Sequence, residues 1–308
     1  MSVTTTDGRK VDLRVATLPS VWGEKIVMRV LDNTAAQLPL RALSFSEKNL
    51  ERFMGAASRK FGMVLVTGPT GSGKSTTLYS ALNAIKTPEV NVITVEDPVE
   101  YQIKGITQVA VNDAQKLTFD AVLRTVLRSD PDVILVGEIR DLETARISMQ
   151  AGLTGHMVFS TLHTNDAASA LTRLVDMKVE PFIIANTLTA VVSQRLIRKL
   201  CDRCKQPYNP TEDEMHSVNF PHEEGAEMTL YKAVGCGACN FKGYAGRIAL
   251  HEVLTVSENM QERIIAGAKS IELERLAIEE GMTTMLQDGF EKVASGLTSV
   301  EEVIKVVG

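Results

Sequence analysis

One eight-residue segment of the chain could bind phosphate: residues 68–75 read Gly-Pro-Thr-Gly-Ser-Gly-Lys-Ser. Its glycines allow consecutive backbone N–H groups to turn inward around a triphosphate, Lys74 can reach the β- and γ-phosphates, and the Ser75 hydroxyl can ligate Mg²⁺. An apolar run at 63–67 precedes the loop, and a helical pattern follows it, which is the context such a loop requires. The predicted ATP-binding residues are Gly68, Thr70, Gly71, Ser72, Gly73, Lys74, Ser75 and Thr76.

Acidic residues end two further predicted strands. Glu96 ends the strand 92–96, with Asp97 and Glu100 just after it, and Glu138 follows the strand 133–137. In an open α/β sheet, ligands bind at the carboxyl ends of the strands, so these acids would face the same ligand as the loop. A carboxylate there can hold Mg²⁺ or polarise an attacking water. We predict catalytic roles for Glu138 and Glu96, with Asp97 and Glu100 as further candidates.

Two histidines flank the predicted strand 157–161, His156 before it and His163 after it. His163 would lie at the carboxyl end of the sheet, where it could contact a γ-phosphate or the attacking water. His156 would lie at the amino end of the strand, and it could reach the nucleotide site only if the sheet geometry placed it near the carboxyl end. We predict a catalytic, nucleotide-sensing role for His163 and keep His156 as a candidate, with a structural role as the alternative for each.

All four cysteines fall in two Cys-x-x-Cys pairs, separated by 31 residues. Two such pairs offer four thiolates, the tetrahedral set that Zn²⁺ favours, and a site without histidine or an open position is structural. Disulfides are the weaker interpretation for a chain without a secretory signal. The predicted zinc ligands are Cys201, Cys204, Cys236 and Cys239.

The apolar pattern predicts an α/β fold that would position these groups. From 43 to 200, strands alternate with helices, which is typical of a parallel sheet covered on both faces. The predicted strands are 63–67, 92–96, 107–110, 133–137 and 157–161. The predicted helices are 46–58, 73–86, 118–128, 141–151, 166–176 and 182–199.

Three other segments differ from this core in composition. Residues 1–42 predict two strands, too few for a stable unit, and we interpret them as the end of an upstream β-rich domain. Residues 201–244, rich in Cys, Gly, Pro and Asn, predict an irregular module around the zinc site. Residues 245–308 predict a helical subdomain, with helices from 257 onward.

Composition limits the function classes. Of 308 residues, 44% are hydrophobic and 23% charged, as in soluble globular proteins, and the net charge of -5 disfavours sequence-independent nucleic-acid binding. No apolar run approaches the length of a transmembrane helix, and the first residues do not form a signal peptide. These features predict a cytoplasmic protein with no nucleic-acid partner and no transmembrane segment.

Four segments, in this order, resemble the signatures of the secretion ATPase family that drives type IV pilus assembly and type II secretion. They are the phosphate loop at 68–75, an Asp box at 93–101, a Walker B segment at 133–138 and a His box at 152–166. The resemblance covers nearly the whole chain. It implies a RecA-like core in a homo-hexameric motor that hydrolyses ATP with Mg²⁺. It further implies a cytoplasmic protein, peripheral at the inner membrane, that acts on a platform protein there. Residues 1–42 would then be the C-terminal remnant of an upstream PAS-like domain.

The resemblance also implies roles for four arginines, namely Arg14, Arg29, Arg124 and Arg128. From sequence alone, Arg124 and Arg128 are four apart on a predicted helix and are best interpreted as a solvated face. In the family such arginines approach the nucleotide or a neighbouring subunit, where a guanidinium stabilises transition-state charge. One departure from ordinary phosphate-loop enzymes is that Gly137 takes the usual Walker B aspartate position, so only Ser75 is named as a magnesium ligand.

Three alternatives remain open at this point. The tetracysteine module resembles pilus-extension and type II secretion members rather than retraction motors, and we favour pilus assembly over secretion. A nucleic-acid translocase on the same RecA-like core would need basic loops that this acidic chain lacks. A small-molecule kinase would not account for the cysteine module or the C-terminal helices.

Overall fold

The computed structural model of the protein describes residues 2–4, 10–31, 38–222 and 228–308. Within them, the central feature is a seven-stranded sheet of order β12-β9-β4-β8-β7-β5-β6. Its strands are β4 (Gly62–Thr67), β5 (Val92–Glu96), β6 (Thr107–Ala110), β7 (Val133–Val136), β8 (Met157–Leu162), β9 (Leu188–Leu200) and β12 (Tyr244–Thr255). The sheet is parallel except at its edge, where β12 runs antiparallel to β9. This arrangement confirms the predicted α/β fold with a parallel sheet.

Helices cover both faces of the sheet and continue beyond it. They are α1 (Glu47–Ala57), α2 (Lys74–Ile85), α3 (Phe119–Val126), α4 (Leu142–Leu153), α5 (Ala167–Asp176), α6 (Pro181–Thr187), α7 (Glu212–Ser217), α8 (Glu258–Ile265), α9 (Ser270–Glu279), α10 (Met285–Ala294) and α11 (Val300–Val307). One apolar core surrounds Leu78 and Phe159, and a second, on the opposite face, surrounds Leu123 and Val158. Because both faces are buried, the strands are continuous apolar runs rather than alternating ones.

Between residues 43 and 176 the predicted strands and helices are confirmed, with boundaries that differ by at most two residues. The predicted helix 182–199 is wrong beyond its first turns, because α6 ends at Thr187 and β9 begins at Leu188. β9 inserts between β4 and β12, where the β-branched residues Val191 and Val192 are fully buried in the sheet. The first residues of segment 245–308 also form a strand, β12, which belongs to the core sheet.

Small sheets flank this core. β1 (Ser2–Thr4), β2 (Lys10–Ser20) and β3 (Gly23–Leu31) form an antiparallel sheet at the start of the chain, so the prediction of two strands there was wrong by one: the short β1 pairs with β2. β10 (Gln206–Tyr208) and β11 (Leu230–Lys232) form an antiparallel pair within the cysteine-containing module. In the part of the chain that the structure describes, none of the helices combines the length and apolar character needed to cross a membrane.

A buried polar cluster joins the sheet edge to the C-terminal helices. The His251 ring is fully buried and stacks on Phe45, with ring centroids 3.5 Å apart. Its backbone N–H donates to Asp288, which also forms a buried ion pair with Lys292. The Asn49 side chain donates to the His251 carbonyl at 3.1 Å. Burial, and secondarily the Lys292 charge, holds the pKa of His251 well below its ordinary value.

This low pKa predicts acid sensitivity of the fold. Since His251 stays neutral when folded but titrates near pH 6.5 when unfolded, the unfolded chain binds more protons as pH falls, and stability is lost. Between pH 7.5 and 5.5 we expect the free energy of unfolding to fall by on the order of 1 kcal/mol because of this group. Denaturant titrations of the wild type and His251→Phe at both pH values measure it. Equal losses in the two proteins would refute the assignment.

Candidate active site and metal centre

The phosphate loop lies between the end of β4 and the start of α2. Gly68, Gly71 and Gly73 have positive φ angles, which only glycine adopts at little cost. A side chain at position 68 would also collide with the backbone, because its Cβ would lie 2.3 Å from the Gln194 carbonyl oxygen. The Lys74 ammonium donates to the Gly68 carbonyl at 2.8 Å, which places it at the mouth of the loop. Burial lowers the pKa of Lys74, and the charge of Glu138 opposes this effect.

The loop opens into a cavity of about 560 Å³, a size that suits a nucleotide-sized ligand. The walls come from the carboxyl ends of the parallel strands, as the sequence predicted. The predicted site residues that line it are Thr70, Gly71, Gly73, Lys74, Ser75, Thr76, Glu96, Asp97, Glu100, Glu138 and His163. The fold therefore brings together residues that are 93 positions apart in the chain, from Thr70 to His163.

The Glu138 side chain follows the end of β7 and lies between Arg140 and His163. One of its oxygens forms an ion pair with Arg140, and the other lies 3.4 Å from His163 Nε2. Gly137 lets β5 and β7 approach closely here, because a Cβ at that position would lie 3.3 Å from the Glu96 Cα. The glycine at the usual aspartate position thus has a steric reason, and the carboxylate that faces the loop is Glu138.

Glu96 is satisfied by protein donors on both carboxylate oxygens. Tyr79 donates to one oxygen, while Thr94, at 2.6 Å, and Gln108, at 3.2 Å, donate to the other. Burial raises the pKa of Tyr79, and so does the neighbouring Glu96 charge. Glu96 is only 5% exposed. Its lone pairs are more fully engaged than those of Glu138, which leaves Glu138 as the better placed of the two to accept a proton.

The other acidic candidates lie at the rim. Asp97 accepts a hydrogen bond from Arg140 at 3.2 Å, so that Arg140 bridges the ends of β5 and β7. The Glu100 backbone N–H donates to the Tyr79 hydroxyl at 3.3 Å. Sequence reasoning did not single out Arg140. Its position two residues after Glu138, in the loop that follows β7, could have identified it as a candidate site residue.

The two histidines lie at opposite ends of β8. His163 follows the carboxyl end, lines the cavity and is half exposed. His156 precedes the amino end, where its Nδ1 lies 3.0 Å from the Ala151 carbonyl oxygen at the end of α4. His156 therefore lies at the end of β8 opposite to the phosphate loop and is not part of the nucleotide site.

Three of the four arginine candidates, Arg14, Arg124 and Arg128, are not among the residues that line the cavity. Arg14 is exposed in β2, opposite Arg29 in β3, and the side chain of Arg29 lies outside the described part of the chain. Arg124 is exposed in α3 and pairs with Glu143. Arg128 is also exposed, but it lies beyond the end of α3 at Val126, so the two do not share a helix face.

Gln194 was missed because its strand was predicted as a helix. It lies in β9 beneath the loop, and its side chain contacts the Ser72 carbonyl and the Thr77 hydroxyl. Leu196, also in β9, lines the same cavity and was missed for the same reason, while Arg247 lines it from β12, a strand that was not predicted. The run of β-branched residues before Gln194 was the available signal.

The four predicted zinc ligands converge on one point. All four sulfur atoms lie within 4.8 Å of one another, and Cys201–Cys236 and Cys204–Cys239 are 4.0 and 3.8 Å apart. Four sulfurs about 2.3 Å from a tetrahedral Zn²⁺ are about 3.8 Å apart, so the donor set fits that ion. Backbone N–H groups of Cys236 and Gly243 each donate to the Cys239 sulfur at 3.2 Å, which stabilises a thiolate. These contacts lower the pKa of Cys239 to about 6, against the effect of burial.

Comparisons with known proteins agree with this arrangement. Residues 1–305 match the family described as Type II/IV secretion system protein. The chain is 49% identical over 299 residues to the type II secretion system ATPase E of Vibrio cholerae, which covers 97% of this chain and 59% of the relative. It is 46% identical over 298 residues to the type IV pilus assembly ATPase PilB of Myxococcus xanthus, which covers 96% of this chain and 53% of the relative.

A solved structure extends the comparison to the fold. The pilus retraction motor PilT with bound ADP superposes with a TM-score of 0.71 at 28% identity, over 99% of this chain and 76% of that one. The chain thus spans little more than half the length of the two sequence relatives, and most of the solved structure. The family match extends over almost all of its residues, and the chain belongs to the type II/IV secretion system protein family.

Proposed function

We propose that this chain is the motor part of a Mg²⁺-dependent ATPase that powers assembly of a pilus or a type II secretion pseudopilus. The observation that carries the proposal is the single cavity in which Lys74 and the phosphate loop face Glu138 and His163. Relatives named as ATPases of both machines support it. The identities of 49% and 46% are too similar to separate the two machines, so both remain candidates.

Each group in the cavity has a role in this mechanism. The loop N–H groups and Lys74 bind the β- and γ-phosphates, and the Ser75 hydroxyl in the first turn of α2 would hold Mg²⁺, which neutralises developing charge. Glu138 orients the attacking water and accepts its proton, while the ion pair with Arg140 holds the carboxylate in place. The His163 Nε2 lies 3.4 Å from Glu138, so this side chain would contact the γ-phosphate and respond to its release. Glu96, held by Tyr79 and Gln108, supports the wall beside them.

We also propose that six copies form a ring at the inner membrane, next to a platform protein. The exposed arginines Arg14, Arg124 and Arg128, together with Arg29, would then act across subunit boundaries. The support is the exposure of Arg14, Arg124 and Arg128 and the names of the relatives, a type II secretion system ATPase and a type IV pilus assembly ATPase.

Two further readouts test this function against the alternatives. Light scattering of the chain with and without Mg·ATP reports the number of subunits, and we expect nucleotide to promote assembly towards six. Phosphate release measured with and without DNA separates a motor of this family from a translocase. Strong stimulation by DNA would favour the translocase, and a strictly monomeric protein that phosphorylates a small molecule would favour a kinase.

The cysteine cluster is proposed as a structural zinc site, with a test of its own. Purified chain should contain about one Zn²⁺, and Cys204→Ser should lose most of it and unfold at a lower temperature. ATP affinity should change less than about twofold, because the cluster is not part of the cavity wall. Ser217→Ala, in the same module, is the matched control and should keep its zinc. An unchanged unfolding temperature of the wild type after removal of its zinc would contradict the assignment.

A further inference from the structure

The Gln194 side chain fills the space directly under the phosphate loop. Its Nε2 donates to the Ser72 carbonyl oxygen at 2.6 Å, and its Oε1 accepts from the Thr77 hydroxyl at 2.7 Å. The residue is 2% exposed. It therefore joins the middle of the loop to the first turn of α2 from the neighbouring strand β9.

Chemistry fixes which end of the amide faces the loop. A carbonyl oxygen can only accept, so the group that contacts Ser72 must be the NH₂ end of Gln194. The oxygen end is then free to accept from Thr77. Glutamine supplies a donor and an acceptor at once in this place, whereas glutamate or methionine of similar size cannot supply both at neutral pH.

The bond to Ser72 also fixes the direction of the next N–H group. The Ser72–Gly73 peptide is trans, so its C=O and N–H point in opposite directions. Drawing the Ser72 carbonyl towards Gln194 therefore turns the Gly73 N–H away from β9, towards the open side of the loop. Gly73 permits this with a φ of 91°, and a Cβ there would lie 2.8 Å from Gln194 Nε2.

We infer that Gln194 is a positioning residue for phosphate binding, which aims the Gly73 N–H at the phosphates and locks the start of α2. The inference rests on the proposed function, since it assigns Gln194 to the same nucleotide site. It acts through the backbone of the loop and touches no substrate. Removal of its amide leaves the Ser72 carbonyl and the Thr77 hydroxyl buried without their partner.

The test is titration of the 308-residue chain with Mg·ADP and Mg·ATP, alongside thermal unfolding without nucleotide. Gln194→Met keeps the volume but loses both hydrogen bonds, and we expect Kd to rise at least about tenfold for both nucleotides. Thr189→Val is the matched control. Thr189 is a buried residue of the same strand whose hydroxyl donates to the Met63 carbonyl at 3.0 Å, far from the loop. It should lower thermal stability comparably and leave Kd unchanged.

A second pair of variants keeps the test independent of the folding of Gln194→Met. Thr77→Val should weaken nucleotide binding, whereas Thr77→Ser, which keeps the hydroxyl, should restore it. The inference would be overturned if Kd rose in every variant, Thr189→Val included, in proportion to the loss of thermal stability. It would also be overturned if Kd were unchanged in Gln194→Met and Thr77→Val. Neither result would affect the proposed function. Absence of nucleotide binding by the wild type would defeat the proposed function, and this inference with it.

Discussion

Glu138→Gln is expected to stop ATP hydrolysis while leaving ATP binding intact. Glutamine has nearly the same shape, so the loop and Lys74 still bind the phosphates, but it cannot accept the proton of the attacking water. We expect turnover to fall by about 10² to 10⁴-fold. Steady-state phosphate release measures turnover, and equilibrium titration with Mg·ATP measures binding, which should be equal to or tighter than that of the wild type.

The matched control for this variant is Glu89→Gln. Glu89 is an exposed glutamate outside the cavity, so the same chemical change there should leave turnover within about twofold. Loss of ATP binding in Glu138→Gln would contradict the role of Glu138 as the proton acceptor, because it would place the residue in binding instead.

Lys74→Ala is expected to weaken nucleotide binding itself and to abolish turnover. The Lys74 ammonium is the cationic group at the mouth of the loop, held by the Gly68 and Pro69 carbonyls at 2.8 and 3.0 Å. Charge-assisted bonds to phosphate contribute about 1.5–3 kcal/mol each, which corresponds to an increase in Kd of about 10- to 150-fold. Equilibrium titration with Mg·ATP and Mg·ADP checks this change.

Lys104→Ala provides the comparison at an exposed lysine outside the cavity. It removes the same charge from the protein, so a general electrostatic effect would appear in both variants. Binding that is equal in Lys74→Ala and the wild type would show that the nucleotide does not occupy this loop.

The phosphate loop and its flanking elements could be predicted from sequence because the information is local. Glycine spacing, one lysine and one serine define the loop, and an apolar strand and a helix define its frame. The positions of Glu138 and His163 followed from one topological rule, since parallel strands end at the same edge of a sheet. The cysteine cluster could also be predicted, because two Cys-x-x-Cys pairs are the usual ligand pattern of a structural zinc site.

What could not be predicted depends on contacts that the chain makes with distant segments. The run from Pro181 to Leu200 has no glycine and no proline after its start, so no turn residue marks the change from helix to strand at Leu188, and the β-branched residues before Gln194 are the only local signal of it. The pairing of β9 with β4 makes these residues a strand, and the same pairing places Gln194 under the loop. The bridge from Arg140 to Glu138 and Asp97 likewise exists only after β5 and β7 are paired.

The most direct test of the central claim is phosphate release by the purified chain with ATP, in Mg²⁺ and in excess EDTA, beside Glu138→Gln. The cavity described above predicts release that saturates with ATP, requires Mg²⁺ and disappears in the variant. Release that continues unchanged in Glu138→Gln would contradict the claim that this site hydrolyses ATP.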